Sequence, residues 1–229
     1  MALKSGKAPA AALFDVDGTL VDTNYLNTVT WWEAFSQAGH DVPMAQVHRA
    51  IGMGSDQMLD KLLPDDRDKD ADAHIRTAHG ALYAVYWSRL RPLPGATDLL
   101  RACKKRGLAV VLASSASEPE FNMLRTVLDA EDAIDAATFS GDVKSSKPAP
   151  DLVEAALDKV GIPAGDAVFI GDTVWDVRAC QKAGVPCIGV LSGGFSRDEL
   201  TSAGAAEVYQ DPRELLVSLP QSLLGSSGD

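Results

Sequence analysis

Ala10-Ala11-Ala12-Leu13-Phe14-Asp15-Val16-Asp17-Gly18-Thr19 runs from an apolar stretch directly into an acidic, glycine-containing turn. An apolar run without alternation reads as a buried strand that delivers the residues after it to its C-terminal edge. One residue separates Asp15 from Asp17, so strand geometry carried one step further would put both carboxylates on one face. Gly18 then lets the backbone turn sharply. Clustered carboxylates repel, so either a cation joins them or one takes up a proton. Taken alone, the segment also fits an ordinary turn and helix cap, because Asp, Gly and Thr populate both.

Three further apolar runs follow much later: Leu108 to Ala113, Ala167 to Ile170 and Pro186 to Val190, each after a glycine or proline and each ending in polar residues. Their continuous apolar character predicts strands covered on both faces. Helical patterns alternate with them, over Pro94 to Arg106, Pro119 to Leu128, Asp151 to Val160 and Thr173 to Ala183, with Gly107, Gly161 and Gly184 as stops. Strand and helix in alternation with short joints predict an α/β fold, a doubly wound parallel sheet whose site lies at the strand C-termini.

Residues 23–90 break the alternation, offering amphipathic helices and no convincing strand. They read as an inserted α-helical domain, with 1–22 and 91–229 forming the α/β core. Tyr25, Val29 and Trp32, with Trp31 and Phe35 alongside, fit a 3.6-residue period, which Ile75, Ala78, Leu82, Val85 and Arg89 repeat. Packing in a core is the reading expected of these aromatics. The acidic stretch Pro64 to Asp70 reads as a solvated loop or helix start, and Gly225 to Asp229 as a frayed tail.

Each remaining polar cluster sits just past a strand or opens a helix. Asp172 and Asp176, four apart in Gly171-Asp172-Thr173-Val174-Trp175-Asp176, fall on neighbouring turns if a helix begins there; a helix cap with a solvent-facing acid is the alternative. Oxygen donors from two strand ends, without histidine or cysteine, suit a hard cation such as Mg2+. Ser114 and Ser115 end a strand ahead of a helix, where hydroxyl and N–H donors converge on a place for an oxyanion. Lys147 precedes Pro148-Ala149-Pro150, which stiffen the chain, and a rigidly placed ammonium can neutralise a phosphoryl group.

Composition narrows the classes of function. The chain has 229 residues, 46% hydrophobic and 23% charged, which suits a globular protein with one sizeable core or a core plus a smaller insertion. A net charge of −11 with no basic stripe argues against nucleic acid. It also requires that an anionic substrate be drawn in by a local positive feature. No run approaches the roughly 18 apolar residues that span a bilayer, and Met1 to Pro9 lacks an apolar leader core, so the expectation is a cytoplasmic protein without a membrane partner. Cys103, Cys180 and Cys187, odd in number and without a C-x-x-C pair, read as buried free thiols.

As a set, the Asp15/Asp17 turn, the Ser114 strand end, Lys147-Pro148 and Gly171-Asp172-Thr173-Val174-Trp175-Asp176 resemble the four motifs of the haloacid dehalogenase-like superfamily of phosphotransferases. The resemblance runs from Leu13 to about Ala205. It implies a Rossmann-like core with a helical cap inserted after the first motif, and a small phosphorylated metabolite as substrate. It further implies that Asp15 attacks phosphorus to form an aspartyl-phosphate while Asp17 serves as acid and then base. Mg2+ would be held by Asp15, the Asp17 carbonyl oxygen and Asp172, with Asp176 supporting the metal shell or orienting Lys147. Ser114, Ser115, Lys147 and Thr19 are expected around the phosphoryl group; Arg49 could add a cationic contact from the cap, an exposed helix-surface arginine being the alternative. Hinges are expected near Val21-Asp22-Thr23 and Leu93-Pro94-Gly95.

Asp17 disfavours the dehalogenases and phosphonoacetaldehyde hydrolases of that superfamily, which lack an aspartate there. The Leu112 to Ser117 and Lys147 to Pro150 segments look like beta-phosphoglucomutase. Two positions depart from it, since Asn27 stands where the mutase has a cap histidine and Ser55 where it has a phosphate-binding arginine. The Gly171 to Ala183 and Gly189 to Gly194 segments look more like phosphoglycolate phosphatases, so hydrolysis of a phosphomonoester comes first, a sugar phosphate mutase second, and a non-catalytic phosphate-binding protein third. Oligomeric state, monomer or dimer, is left open.

Overall fold

The computed structural model describes residues 8–225. The leader reading of Met1 to Pro9 and the tail reading of Gly225 to Asp229 therefore fall almost wholly outside the described residues. Four apolar runs form central strands: β1 (Ala11–Phe14), β2 (Ala109–Ala113), β4 (Ala167–Gly171) and β5 (Cys187–Val190). Two strands unmarked by apolar runs, β3 (Ala136–Thr138) and β6 (Glu207–Tyr209), close the edges. The six-stranded sheet has the order β3-β2-β1-β4-β5-β6, and every pairing is parallel. After β3 the chain returns to the other side of β1, so the order reverses between β1 and β4, where a doubly wound sheet opens a crevice at its carboxyl edge.

Alternation along β1 divides the core into two layers. Ala12 and Phe14 join an apolar cluster with Leu99, Leu100 and Cys103 of α5 (Ala96–Lys105) and Phe121, Leu124 and Leu128 of α6 (Glu118–Leu128). Ala11 and Leu13 join the opposite cluster, with Leu152, Val153 and Ala156 of α7 (Asp151–Val160) and Val177, Ala179 and Cys180 of α8 (Val174–Ala183). The short helices α9 (Arg197–Ala203) and α10 (Pro212–Val217) complete these layers, each entered through a side-chain cap, from Ser196 and from Asp211. Cys103, Cys180 and Cys187 are free and buried.

Between β1 and α5 lie α1 (Asn24–Gln37), α2 (Met44–Ala50), α3 (Ser55–Leu62) and α4 (Asp72–Ala84). Their inner faces build a third apolar cluster from Trp31, Phe35, Val47, Met58, Leu59 and Ile75. The face of α1 is offset from the predicted stripe. Tyr25 and Val29 are exposed, while Asn24, Thr28, Trp31 and Phe35 are buried, because the helix turns its polar first-turn residues toward the sheet edge. On α4 the buried line is Ile75, His79 and Tyr83, and Val85 beyond its end is exposed.

The two connections to this helical segment run side by side. Val21 bridges antiparallel to Pro92, Asp22 N–H donates to Arg91 O at 3.2 Å, and Leu93 N–H donates to Leu20 O at 2.8 Å. The acidic stretch after α3 is tied down by Arg67, which pairs with Asp60 at 2.7 Å and Asp72 at 2.8 Å. Among the described residues no helix is long and apolar enough to cross a membrane.

Candidate functional site

β1 ends at Phe14, and the N–H of Asp15 donates to Ile170 O of β4 at 2.9 Å, which holds the next carboxylate at the crevice between the two strands. Asp15 is 3% exposed and forms the floor of a cavity of about 200 Å3 that opens toward α1, α3 and α4. The Lys147 ammonium, also buried, donates to Asp15 Oδ1 at 2.6 Å and to Asp176 Oδ1 at 2.7 Å. Burial by itself would strip the proton from Lys147, but Asp15 and Asp176 outweigh it and raise its pKa above the usual lysine range. An ion so enclosed survives only because two carboxylates share its protons.

Asp176 is aimed by the start of α8. Thr173 is the N-cap, and its N–H and hydroxyl donate to Asp176 Oδ2 at 3.1 and 2.5 Å, a reciprocal box that leaves Oδ1 for Lys147. Asp172 stands between, accepting from the Thr19 hydroxyl at 2.9 Å and from Asn24 Nδ2 at 2.7 Å. Gly193 approaches so closely that a Cβ there would lie 1.6 Å from Asp172 Oδ2. Burial pushes the carboxyl of Asp172 up to about 7, with Asp176 adding to the effect and Thr19 and Asn24 opposing it. Burial likewise holds Asp15 well above the usual carboxylate range against the pull of Lys147.

Asp15, Asp172 and Asp176 bring carboxylate oxygens within 4.8 Å of one another, all buried. This donor set fits Mg2+ on three counts. It is all oxygen. It is more acidic than the one ammonium can balance. Asn24 Oδ1, beside Asp172, is a buried acceptor without a hydrogen-bond partner. Asp176 accepts three hydrogen bonds, one from Lys147 and two from Thr173, against two each for Asp15 and Asp172, so the latter pair keep more lone pairs free.

Asp17 faces a different way from this cluster. Its Oδ1 accepts from Asn27 Nδ2 and its Oδ2 from the Ser114 hydroxyl, both at 3.4 Å, and burial raises its carboxyl to about 6. Ser114 also accepts from Ala116 N–H at 3.0 Å, so its hydroxyl is engaged by this loop and by Asp17. Ser115, the next residue, lines the cavity with a buried hydroxyl that has no partner. Asp15, Asp17, Lys147 and Ser115 thus meet at one cavity, with Asp172 and Asp176 directly behind.

Three expected contacts do not line the cavity: Ser114, fully buried and held by Asp17 and the Ala116 N–H, Thr19 and Arg49. Thr19 is fully buried behind the carboxylates, bridging Asp172 and, at 3.3 Å, Asp15 Oδ2. Arg49 lies on the outer surface of α2, paired with Glu199 at 2.8 Å and stacked over Phe195, because its helix turns only Val47 and Ala50 inward.

Asn27, which stands where the mutase has a cap histidine, lines the cavity together with Arg76, His79, Tyr83 and Glu120, which no sequence motif marks. The i, i+4 line of His79 and Tyr83 behind Ile75 was the available signal, since it extends the buried face of α4 with polar-tipped rings. Asn24 and Gly193, which hold Asp172, had no such mark.

Residues 9–184 match the family described as haloacid dehalogenase-like hydrolase. A phosphoglycolate phosphatase of Rhodospirillum rubrum is 30% identical over 217 residues, covering 89% of this chain and 88% of that protein. The crystal structure of a hydrolase from Pseudomonas syringae superposes with a TM-score of 0.88 at 33% identity, covering 93% of this chain and 98% of the other. A CbbY from Rhodobacter sphaeroides, solved in complex with xylulose-(1,5)bisphosphate, superposes with a TM-score of 0.75 at 25% identity, over 90% of this chain and 96% of the other.

Proposed function

The chain belongs to the haloacid dehalogenase-like hydrolase family, and we propose that it is a Mg2+-dependent phosphatase that hydrolyses a small phosphomonoester through Asp15. The observation that carries this reading is the Asp15 carboxylate at the cavity floor, gripped by Lys147, with Asp17 two residues on and hydrogen-bonded from the opposite side. Nucleophile and acid are thereby separated by environment, which is how two carboxylates take different roles at one pH.

Asp15 and Asp172, with the Asp17 main-chain carbonyl, would hold Mg2+, which supplies charge neutralisation for the transferring phosphoryl group. Asp15 attacks phosphorus, the bond to the leaving oxygen breaks, and the proton on Asp17 passes to that oxygen, releasing an alcohol. Water then attacks the phosphoryl-aspartate; Asp17 takes its proton, and inorganic phosphate leaves with Asp15 regenerated. Lys147 holds Asp15 in place and offers charge to phosphoryl oxygens. The unpartnered Ser115 hydroxyl and Lys147 are the donors on the cavity wall nearest this chemistry.

Residues 23–90 act in this reading as a cap that closes the site, with the connections bridged at Val21 and Pro92 as its hinge. The positions that separate mutase from hydrolase, Asn27 and Ser55, both face the cavity, which favours water as the final acceptor. The test is phosphate release from p-nitrophenyl phosphate with and without Mg2+, repeated on Asp15→Asn. The expected outcome is Mg2+-dependent release reduced to background by the substitution; undiminished activity would remove Asp15 as nucleophile. Beta-glucose 1-phosphate with a bisphosphate primer should give free phosphate rather than glucose 6-phosphate.

A further inference from the structure

One wall of the cavity faces away from the phosphoryl site, and its hydrogen bonds determine what it can accept. Asn27 Nδ2 donates to Asp17 Oδ1, so the Asn27 carbonyl oxygen is the atom that meets His79 Nε2 at 3.2 Å. Two acceptors cannot share that contact, so His79 Nε2 carries the hydrogen. The ring is sandwiched between Trp31, 4.0 Å between centroids, and Tyr83, 5.7 Å, and burial lowers its pKa to about 3. Neutral and protonated at Nε2, the imidazole presents a lone pair at Nδ1.

What Nδ1 faces is Glu120 Oε1, 3.9 Å away, beyond hydrogen-bond reach. The other Glu120 oxygen is taken, since Oε2 accepts from the N–H and hydroxyl of Ser117 at the start of α6. Two nearly buried acceptors therefore converge on one place in the cavity with no donor of the protein between them. Further along the same cavity, toward Asn27 and Thr23, the Tyr83 hydroxyl, on a residue 1% exposed, is likewise without a partner within hydrogen-bond distance. Buried polar groups left so are costly, and a ligand donor removes the cost.

We infer that the His79 and Glu120 wall, with Tyr83, binds neutral hydroxyls of the leaving group, each donating its one hydrogen to one of the two acceptors, so that the substrate is a phosphate ester of a polyol or sugar. Charge selects the hydroxyl over its alternatives. A carboxylate on the leaving group would face the carboxylate of Glu120. An ammonium would match Glu120 but would also lie in a cavity lined by the guanidinium of Arg76, one turn before His79, whereas a neutral hydroxyl is opposed by neither charge. This inference rests on the phosphatase reading and names the substrate class for that site.

The test compares kcat/KM, in Mg2+, for glycerol 3-phosphate, n-propyl phosphate, phosphoethanolamine and phosphoglycolate, in the native enzyme and in Glu120→Gln. The glutamine keeps an oxygen for Ser117 and turns its amide donor toward His79, filling the gap from within. Native enzyme should prefer glycerol 3-phosphate to each of the other three by about tenfold or more. In Glu120→Gln the preference over propyl phosphate should shrink to within about threefold, while phosphoglycolate gains. A native preference for phosphoglycolate or phosphoethanolamine, or a preference for the glycerol ester untouched by the substitution, would overturn the inference.

A second measurement stands apart from activity: 15N NMR of the histidine rings in the unliganded protein at neutral pH. A neutral His79 protonated at Nε2 supports the wall as described; an imidazolium paired to Glu120 overturns it. Failure of the phosphatase reading looks different, as absence of Mg2+-dependent release from every ester including p-nitrophenyl phosphate, and the NMR result then decides the chemistry of the wall.

Discussion

At the scale of single residues, the site is a set of groups each of which is tolerable only because of its neighbours. Lys147 shows this most directly. Its ammonium is enclosed with Asp15 and Asp176, so Lys147→Met removes the one cation and leaves two carboxylates buried together. In Mg2+-free buffer this should cost about 3–5 kcal/mol in urea unfolding, the scale for orphaning a buried charge, and phosphate release should fall to background. A loss well under about 1 kcal/mol would mean that Asp15 and Asp176 escape to water when the lysine goes. Gly193 is a second case. Gly193→Ala puts a methyl group into the space of Asp172 Oδ2 and must displace that carboxylate or its own backbone. Calorimetry should find Mg2+ affinity reduced roughly 10–100-fold, with the chain still folded because Gly193 serves neither apolar layer of the sheet.

At the scale of elements, the central strands were legible because they are apolar throughout and covered on both faces, as for Ala11–Phe14 and Ala167–Gly171. Ala136–Thr138 and Glu207–Tyr209 were not: three residues long, at the sheet edges and only partly covered, they need no apolar run. Helices announced by proline and glycine ended within a residue or two of expectation, as at Asp151–Val160. Arg197–Ala203 was missed although Ser196 and Glu199 form a capping box that the sequence displays. The face of α1 was misjudged because Asn24 and Thr28, polar in sequence, are buried in the fold. Of the site, the clustered acids and Lys147 were readable because each follows a strand or opens a helix. His79, Tyr83 and Glu120 were not, because their meeting depends on how α4 and α6 pack. Capping at α8 is where element and site coincide. Thr173→Val removes the hydroxyl that binds Asp176 and caps the helix. It should lower unfolding free energy by about 1 kcal/mol, and activity should fall further than so small a change would suggest, because Asp176 then has less to hold it against Lys147.

At the scale of the whole molecule, a strongly acidic chain has concentrated buried carboxylates at one sheet edge, and its stability must therefore depend on pH and, on the proposed reading, on Mg2+ as well. Burial raises Asp172 from an ordinary 3.8 to about 7, Asp17 to about 6 and Asp15 in the same direction. A carboxylate raised on folding binds its proton more tightly in the native state, so its contribution to stability is complete below the unfolded pKa and is lost as pH rises through the folded one. His79 works in the opposite sense. Its pKa falls from 6.5 to about 3, so its contribution is present above 6.5 and is lost on acidification through about 3. Above pH 6.5 the histidine is mostly neutral in the unfolded chain as well as the folded one, so its opposing slope fades and the carboxylates dominate. In chelator, the thermal midpoint should therefore fall between about pH 6.5 and about pH 8. On the proposed reading Mg2+ would replace the protons those carboxylates otherwise need, so its binding should tighten over the same interval and the midpoint gained on adding it should grow with pH. Asp172→Asn, which has no charge to neutralise, should flatten the slope in chelator and shrink the Mg2+ effect together. Scanning fluorimetry across this interval, with chelator and with Mg2+, checks all three. A chelator midpoint that rises with pH would mean that the acids are already paired as ions in the metal-free fold.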